Sequence, residues 1–325
     1  MQSFYDLIPE KTDTAVALGY FDGLHIGHRN VILAAAREKQ NGLVPVCFTF
    51  IQSPKSVISG NRVGEIMSKK DKLKILSELG IEHTYQIDFK EIMSMSASDF
   101  VHEVLIGKLR AKKLFCGFNY RFGKNAGGDA DYLIELCEKN NIGLTVVPPE
   151  TREGKVVSST LIRGLIAGGK VEKANELLRS RFGFCAAIEH GKKLGRELGT
   201  PTINQQLDKS LVTPRFGVYV SEVTTENGEK FCGVTNIGIK PTVGSTTPLC
   251  ETWMPEYHGK ELYGQQADVR LLKFLRTEQR FDSLKELKQM IVQNGKEAVE
   301  YYEDSKNTHC KNTGGALVRL SEPHR

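Results

Sequence analysis

Length and composition define the broad class of this chain. It has 325 residues, of which 40% are hydrophobic and 26% charged; these values exclude a disordered or collagen-like chain and favour two globular domains. The net charge is +5, and the segment 306–325 carries +3 of it through Lys306, Lys311, Arg319 and Arg325 against Glu322. The rest of the chain is nearly neutral, so bulk charge does not indicate a nucleic-acid partner.

The cysteines and the N-terminus favour a cytoplasmic protein. The seven cysteines stand singly without a CxxC pair, which is typical of a reducing compartment and offers no zinc site. The first residues include acids where a signal peptide is basic, and the longest apolar stretch, 43–51, is far shorter than the roughly 20 residues of a membrane helix. We therefore expect no membrane association, and the sequence leaves the oligomeric state open.

The first half alternates apolar runs with amphipathic segments. Strands are predicted over 14–21, 43–50, 83–89, 112–118 and 144–149, and helices over 30–40, 69–80, 98–110 and 129–140. This alternation predicts an α/β domain with a parallel, doubly wound, Rossmann-like sheet. Ligands bind such sheets at the carboxyl ends of the strands, so the loops after Phe21, Phe50 and Phe118 are expected to form a site.

The second half has the pattern of an antiparallel β-barrel closed by a C-terminal helix. After a helix over 171–180, strands are predicted over 183–190, 249–254 and 267–275, with a hairpin around Asn227-Gly228 and a helix over 283–302. The boundary is placed near 180–183. Beyond about residue 304, a polar segment without pattern is expected to be disordered.

The string GYFDGLHIGH, residues 19–28, follows a predicted strand and leads into a helix. If His25 and His28 lie in its first turn, their imidazoles project to one side, beside N–H groups that favour an anion such as a triphosphate. Two incidental histidines or half of a metal site are the alternatives. Residues of this string that are candidates for nucleotide binding are Gly19, Phe21, Asp22 and Gly23.

Two further segments of the first half offer partners for a nucleotide. VSSTLIRGLI, 157–166, places hydroxyls and a guanidinium where a loop enters a helix. Taken alone, a helix cap followed by a surface arginine is the better explanation. The candidates are Ser158, Ser159, Thr160 and Arg163. The glycine-rich segment 117–129 contains Asn119 and Arg121. No GxxxxGK[ST] P-loop occurs in the chain, so ATP would be bound by a different type of phosphate-binding site.

In the second half, the segment 190–207 combines glycines with a Pro-Thr-x-Asn sequence. Gly191, Gly195 and Gly199 let the backbone approach phosphates. Thr202 and Asn204 share one side of an extended segment and offer oxygens that suit Mg²⁺ beside ATP phosphates, or only a turn with a Thr hydrogen bond. Glu251 lies in a predicted strand. Without the neighbouring motifs, it would be interpreted as a carboxylate on the protein surface.

In their order and spacing, these strings resemble the prokaryotic bifunctional riboflavin kinase/FAD synthetases. The adenylyltransferase module of this family, a branch of the HxGH nucleotidyltransferases, is resembled by GYFDGLHIGH, Thr49-Phe50, GFNYRFGK and SSTLIR. Its kinase module is resembled by the segment 190–207, NIGIKPTVG, Glu251, ELYG and FLRTEQRFDSLKEL. The resemblance implies an FMN adenylyltransferase domain over 1–182, a riboflavin kinase domain over 183–305, and a tail over 306–325. The implied substrates are riboflavin, FMN and ATP, with Mg²⁺ assisting.

The resemblance also implies individual roles. His25 and His28 stabilise the transition state of adenylyl transfer, Ser158, Thr160 and Arg163 hold ATP phosphates, and Asn119 lies at the nucleotide and flavin site. Glu251 is the catalytic base of the kinase, and Thr202 and Asn204 bind metal and nucleotide. The three glycines belong to the loop over the nucleotide, and Arg276 and Phe281 border the flavin.

The chain departs from the family pattern after Thr49-Phe50. The family usually has Pro-His-Pro, whereas this chain reads Ile51-Gln52-Ser53-Pro54, so a neutral hydroxyl replaces an imidazole and adenylyl transfer is expected to be slower. Thr200 and Ile203 replace the common Phe and Ala, which we interpret as a packing adjustment.

Three alternatives to the bifunctional enzyme stay open at this point. The first is an enzyme with kinase activity alone, and the second is a flavin-binding regulatory protein without catalysis. The third is a cytidylyltransferase-like enzyme of the wider HxGH group, which the kinase half disfavours.

Overall fold

Two units make up the chain in a computed structural model, which describes residues 1–191, 199–239 and 248–312, with side chains described up to 306. The first unit contains Met1–Ala167, Lys173–Ser180 and Lys209–Thr213. The second contains Gly168–Glu172, Arg181–Asp208 and the chain from Pro214 onward. Gly195 and residues 313–325 lie outside the described residues.

The first unit contains a six-stranded parallel sheet, which confirms the predicted α/β class. Its order is β1-β4-β3-β2-β5-β6. Strand β2 is central, with β3 on one side and β5 on the other, so the crevice at its carboxyl end is where ligands of such sheets bind. The strands are β1 Gln2–Phe4, β2 Thr14–Leu18, β3 Val44–Phe50, β4 His83–Ile87, β5 Ala111–Gly117 and β6 Gly143–Val147.

Helices lie between these strands and after the last of them. They are α1 Ile26–Arg37, α2 Pro54–Ser59, α3 Lys69–Glu78, α4 Phe89–Ile92, α5 Ala97–Asp99, which continues as a π-helix Phe100–Lys108, α6 Ala130–Lys139, α7 Ser159–Ala167 and α8 Val171–Leu178; the two-residue strands β7 Thr151–Arg152 and β8 Lys155–Val156 form a hairpin. The edge strand β1 and the helices α2 and α4 were not predicted, because segments of three to six residues are too short for a periodic pattern.

The predicted strand 14–21 ends early, at Leu18, for a local reason. Phe21, Gly23 and Leu24 have φ values of 54°, 83° and 41°, and this left-handed backbone turns the chain sharply out of the sheet. Helix α1 consequently begins at Ile26 rather than near residue 30. The turn thus delivers the two histidines of the GYFDGLHIGH string to the carboxyl end of β2.

The second unit contains a six-stranded antiparallel sheet of order β10-β13-β12-β11-β14-β9. The backbone N–H of Glu189, just after β9, donates to the carbonyl oxygen of Asn204 in β10 over 2.8 Å, so the sheet nearly closes into the predicted barrel. The strands are β9 Gly183–Ala187, β10 Thr202–Gln206, β11 Gly217–Thr224, β12 Lys230–Gly238, β13 Leu249–Trp253 and β14 Gln266–Arg276.

Helix α9, Leu284–Asn312, packs on one face of this sheet. It continues ten residues beyond the predicted end at 302, and the disorder expected for 306–325 stays a prediction. The segment 303–312 is polar but has no Gly or Pro before Gly314, and polarity alone does not end a helix.

A buried carboxylate ties α9 to the sheet. Glu222 of β11 accepts hydrogen bonds from the hydroxyl of Tyr302 over 3.1 Å and from Nζ of Lys230 over 3.1 Å, and its Oε2 lies 2.6 Å from the guanidinium of Arg181. Burial alone would raise the pKa of Glu222, but the hydrogen bonds and charges of Arg181 and Lys230 outweigh it, so the pKa is lowered. The carboxylate is therefore charged and fully partnered at neutral pH.

We expect Tyr302→Phe to lower the free energy of unfolding of the second unit by about 1–2 kcal/mol, since it removes one hydrogen bond to a buried charge. Trp253 is the single tryptophan and lies in this unit, so its fluorescence during urea unfolding reports the change. Tyr301→Phe is the matched control, because among the described residues the Tyr301 hydroxyl makes no hydrogen bond. Equal losses in both variants would contradict this role of the Tyr302 hydroxyl.

Candidate functional sites

The two histidines of the first unit lie together at the start of α1. His25 is the N-cap residue, and its Nδ1 accepts a hydrogen bond from the backbone N–H of His28 over 3.4 Å. Their rings stack with centroids 3.6 Å apart, and the edge of Phe21 faces His28 at 5.4 Å. Because His25 caps the helix, the pair is brought together by stacking rather than by a shared helical turn.

Burial keeps both imidazoles neutral in the free protein. It lowers the pKa of His25 to about 4. The pKa of His28 is also lowered, first by burial and then by the neighbouring His25, Lys72 and Arg163. Nδ1 of His28 is buried without a hydrogen-bond partner among the described residues. A polyphosphate bound here would supply both negative charge and acceptor oxygens, and so would favour N–H donation or protonation.

Asp22 links the loop after β2 to helix α7. Asp22 Oδ1 accepts from the backbone N–H of Ile66 over 2.9 Å, and Oδ2 pairs with the guanidinium of Arg163. Arg163 Nε also donates to the carbonyl of Gly64 over 2.7 Å. Burial raises the pKa of Asp22 despite these partners. The guanidinium is thus held in position by protein groups, with Nη1 unengaged among the described residues.

The remaining candidates of α7 lie at its start. The hydroxyl of Ser158 accepts from the backbone N–H of Leu161 over 3.2 Å, as an N-cap does, and Ser159 donates to the carbonyl of Asp22 over 3.0 Å. Thr160 is exposed. Ser158 and Ser159 therefore shape the loop through these local hydrogen bonds. Of the three candidates, only Thr160 has a hydroxyl that takes no part in them.

Asn119 and Arg121 lie in the loop after β5, which neighbours β2 in the sheet. Both are exposed, and Arg121 pairs with Asp129 at 3.2 Å. The loop therefore borders the same edge of the sheet as the histidine pair, although neither side chain is buried against it.

Sequence reasoning missed Lys72 at this edge of the sheet. Its ammonium donates to the carbonyl of Tyr20 and to Oγ1 of Thr49, the latter over 2.9 Å. One signal was available: Lys72 and Leu76 are one helical turn apart and are the buried residues of α3, so the helical period places a lysine on the face that should be apolar.

In the second unit, strand register aligns the kinase candidates in one row. Glu251 of β13 pairs with Asn204 of β10 and with Asn236 of β12, and residues paired in register share a face of the sheet. The row continues through Val218 to Arg276 of β14. Asn236, which the prediction did not single out, also donates to Oε1 of Glu278 over 3.4 Å.

Thr202 and Asn204 lie on that same face. Asn204 Nδ2 donates weakly to the carbonyl of Thr202 over 3.4 Å, while its buried Oδ1 has no partner among the described residues. A Cβ at Gly191 would lie 2.5 Å from Asn204 Nδ2, so Gly191 allows this close packing. An unpartnered amide oxygen beside a threonine fits a hard cation such as Mg²⁺ that also binds phosphate.

Arg276 and Phe281 lie near the other end of the row. Arg276 Nε donates to Oδ1 of the buried Asn294 of α9 over 3.0 Å, and its guanidinium is 5.7 Å from the ring centroid of Phe281. Gly199 has a φ of 75°, which favours glycine. Ile203 alternates with Thr202 and Asn204 and faces away from them.

Two searches of the described ranges were negative. They contain no group of three or more His, Cys, Asp or Glu side chains that could hold a metal ion. Within the same ranges, no helix is long and apolar enough to cross a membrane.

In comparison with known proteins, the two units match two separate families. Residues 7–161 match the FAD synthetase family, and residues 178–302 match the riboflavin kinase family. The protein named bifunctional riboflavin kinase/FMN adenylyltransferase of Bacillus subtilis is 33% identical, with coverage of 90% of this chain and 94% of its own length. Its namesake in Escherichia coli K12 is 32% identical, with coverage of 88% and 92%.

A solved structure agrees over nearly the whole chain. The protein named macrolide-efflux protein of Streptococcus pneumoniae superposes with a TM-score of 0.80 at 29% identity, covering 89% of this chain and 95% of that one. Together with the curated relatives, which the chain matches nearly end to end, this likeness establishes the architecture of both units. The chain belongs to the family of bifunctional riboflavin kinase/FMN adenylyltransferases.

Proposed function

We propose that each unit carries one of the two activities of this enzyme, which phosphorylates riboflavin to FMN and adenylylates FMN to FAD, both with ATP. The assignment of FAD synthesis to 1–182 and of the kinase to 183–305 rests on one observation. The two family matches are separate in sequence; the first contains the histidine pair, and the second contains Asn204 and Glu251. The substrates are small molecules, and we propose the cytoplasm as the location.

In the first unit, an oxygen of the FMN phosphate attacks the α-phosphorus of ATP, and pyrophosphate leaves with the electron pair of the broken P–O bond. The phosphate is already anionic, so no general base is needed. His25 and His28 would stabilise the charge that develops on the phosphates. Thr160, Arg163 and the amides at the start of α7 would hold the nucleotide, and Asn119 and Arg121 would border it.

In the second unit, Glu251 would accept the proton of the riboflavin hydroxyl as the γ-phosphoryl group is transferred. Strand register supports this role, because the carboxylate stands directly beside Asn204. Gly191 and Gly199 would let the backbone approach the nucleotide, and Arg276 and Phe281 would border the flavin. Thr202 and Asn204 would hold Mg²⁺, which when bound neutralises phosphate charge.

One experiment tests the proposal as a whole. The protein is incubated with riboflavin, ATP and Mg²⁺, and riboflavin, FMN and FAD are resolved by chromatography over time. Sequential appearance of FMN and then FAD is expected. Accumulation of FMN without FAD favours the kinase-only alternative, and the absence of both products favours a flavin-binding regulatory protein.

The kinase-only alternative depends on Ser53. This residue is 6% exposed and precedes α2 without capping it through its side chain. We expect Ser53→His to raise the rate of FAD formation several-fold, because an imidazole interacts more strongly with phosphate than a hydroxyl does. Ser53→Asn is the control for size. No gain in the histidine variant would count against the interpretation that Ser53 weakens the site.

A further inference from the structure

Segment 64–66 of the first unit bonds to both members of the Asp22–Arg163 pair. The carbonyl of Gly64 accepts from Nε of Arg163 over 2.7 Å, and the backbone N–H of Ile66 donates to Oδ1 of Asp22 over 2.9 Å. Asp22 and Arg163 also bond to each other through Oδ2 and the guanidinium. The position of the guanidinium therefore depends on where the backbone of 64–66 lies.

This backbone is itself held by residues that are distant in sequence. Segment 64–66 lies in the loop between α2 and α3. The N–H of Glu65 donates to the carbonyl of Ser210 over 2.7 Å, and its carbonyl accepts from the N–H of Val212 over 2.8 Å. These two bonds form a parallel bridge between Glu65 and Leu211. A loop that would otherwise be free to shift is thus fixed from both sides of one peptide.

The segment that provides these bonds comes from the other half of the sequence. Residues 209–213 belong to the first unit, although they lie within the riboflavin kinase match, 178–302, in the connection between β10 and β11. Leu211 is 5% exposed. A Cβ at Gly64 would lie 2.8 Å from Cα of Val212, so the two backbones approach too closely for any side chain at position 64.

We propose that segment 209–213 is a positioning element of the adenylyl-transfer site, which directs the guanidinium of Arg163 toward the ATP phosphates by holding the backbone of 64–66. The inference rests on the proposed function of the first unit. An arginine that is already held in place loses less conformational freedom when it binds phosphate. Release of 64–66 is therefore expected to weaken the binding of ATP for FAD formation and to leave its binding for riboflavin phosphorylation unchanged.

The first test compares Val212→Pro with Val212→Ala in the full-length protein. Proline has no N–H and cannot donate to the carbonyl of Glu65, whereas alanine keeps this donor. KM for ATP is measured in FAD formation with saturating FMN. We expect it to rise about fivefold in Val212→Pro and less than about twofold in Val212→Ala, as the loss of one hydrogen bond predicts. KM for ATP in riboflavin phosphorylation by the same preparations is the internal control.

A second variant acts from the other side of the contact and keeps the proposal testable if Val212→Pro does not fold. Gly64 is not among the residues with positive φ, so Gly64→Ala strains the contact with Val212 rather than its own backbone. We expect a similar rise of KM for ATP in FAD formation. The double variant is expected to show no larger rise than the stronger single variant, because both changes break the same contact.

Other results would overturn the positioning role. An equal rise of KM for ATP in both reactions, or a fall in melting temperature and in both rates with KM unchanged, would make 209–213 a structural contact only. Additive rises in the double variant would show that the two changes act on separate groups. If the unmodified protein forms FMN but no FAD, the proposed function of the first unit fails, and the positioning role fails with it. If it forms both and the variants keep a normal KM for ATP, the positioning role alone is wrong.

Discussion

Glu251→Gln is expected to lower the rate of riboflavin phosphorylation about 10²–10⁴-fold, since removal of a general base has effects of this size. The substitution keeps the size and polarity of the side chain, and the strand pairs with Asn204 and Asn236 involve backbone groups. The barrel should therefore stay folded. Conversion of supplied FMN to FAD by the same protein should continue at its normal rate, because that site lies in the other unit.

Glu278 provides a matched control for this variant. Its carboxylate also lies at the row, where it accepts from Asn236 over 3.4 Å, but it is not in register with Asn204. Glu278→Gln should lower kinase activity at most several-fold, with the larger part of the change in KM. If Glu278→Gln abolished phosphorylation and Glu251→Gln did not, the base would be Glu278. Loss of both reactions in Glu251→Gln would contradict one site per unit.

The class of each unit could be predicted from the sequence because its signals are long and repeated. Continuous apolar runs such as 43–50 correspond to strands buried on both faces, and alternation with amphipathic segments determines the parallel order. The exact ends could not be predicted. Strand β2 ends at Leu18 because the backbone turns left-handed at Phe21, and α9 runs to Asn312 because a polar segment can stay helical.

Motif spacing located the candidate residues but not their interactions. Glu251 and Asn204 are far apart in sequence, and only the register of β10 with β13 shows that they are neighbours. Arg163 was predicted as a phosphate ligand, but its pairing with Asp22 depends on a turn with no sequence pattern. Lys72 was overlooked for a different reason: a lysine in an amphipathic helix is ordinarily solvated, although the helical period placed this one on the buried face.

His28→Ala is expected to lower FAD formation from FMN about 10²–10³-fold, which is the usual effect of removing one donor to a developing charge. The imidazole is half-buried, neutral in the free protein, and stacked on His25 at 3.6 Å, so its N–H donor is pre-positioned before ATP arrives. Riboflavin phosphorylation should be unchanged. His28→Asn, which retains one N–H donor, should lose less activity than His28→Ala.

The control for this prediction is His102→Ala. His102 belongs to the same unit but is exposed in the π-helix before β5, which leads to the amino end of that strand. We expect full activity from it in both reactions. Undiminished FAD formation by His28→Ala would contradict the catalytic role of the histidine pair. A parallel loss of phosphorylation would instead show that the substitution acts through folding of the chain, since His28 has no proposed part in the kinase reaction.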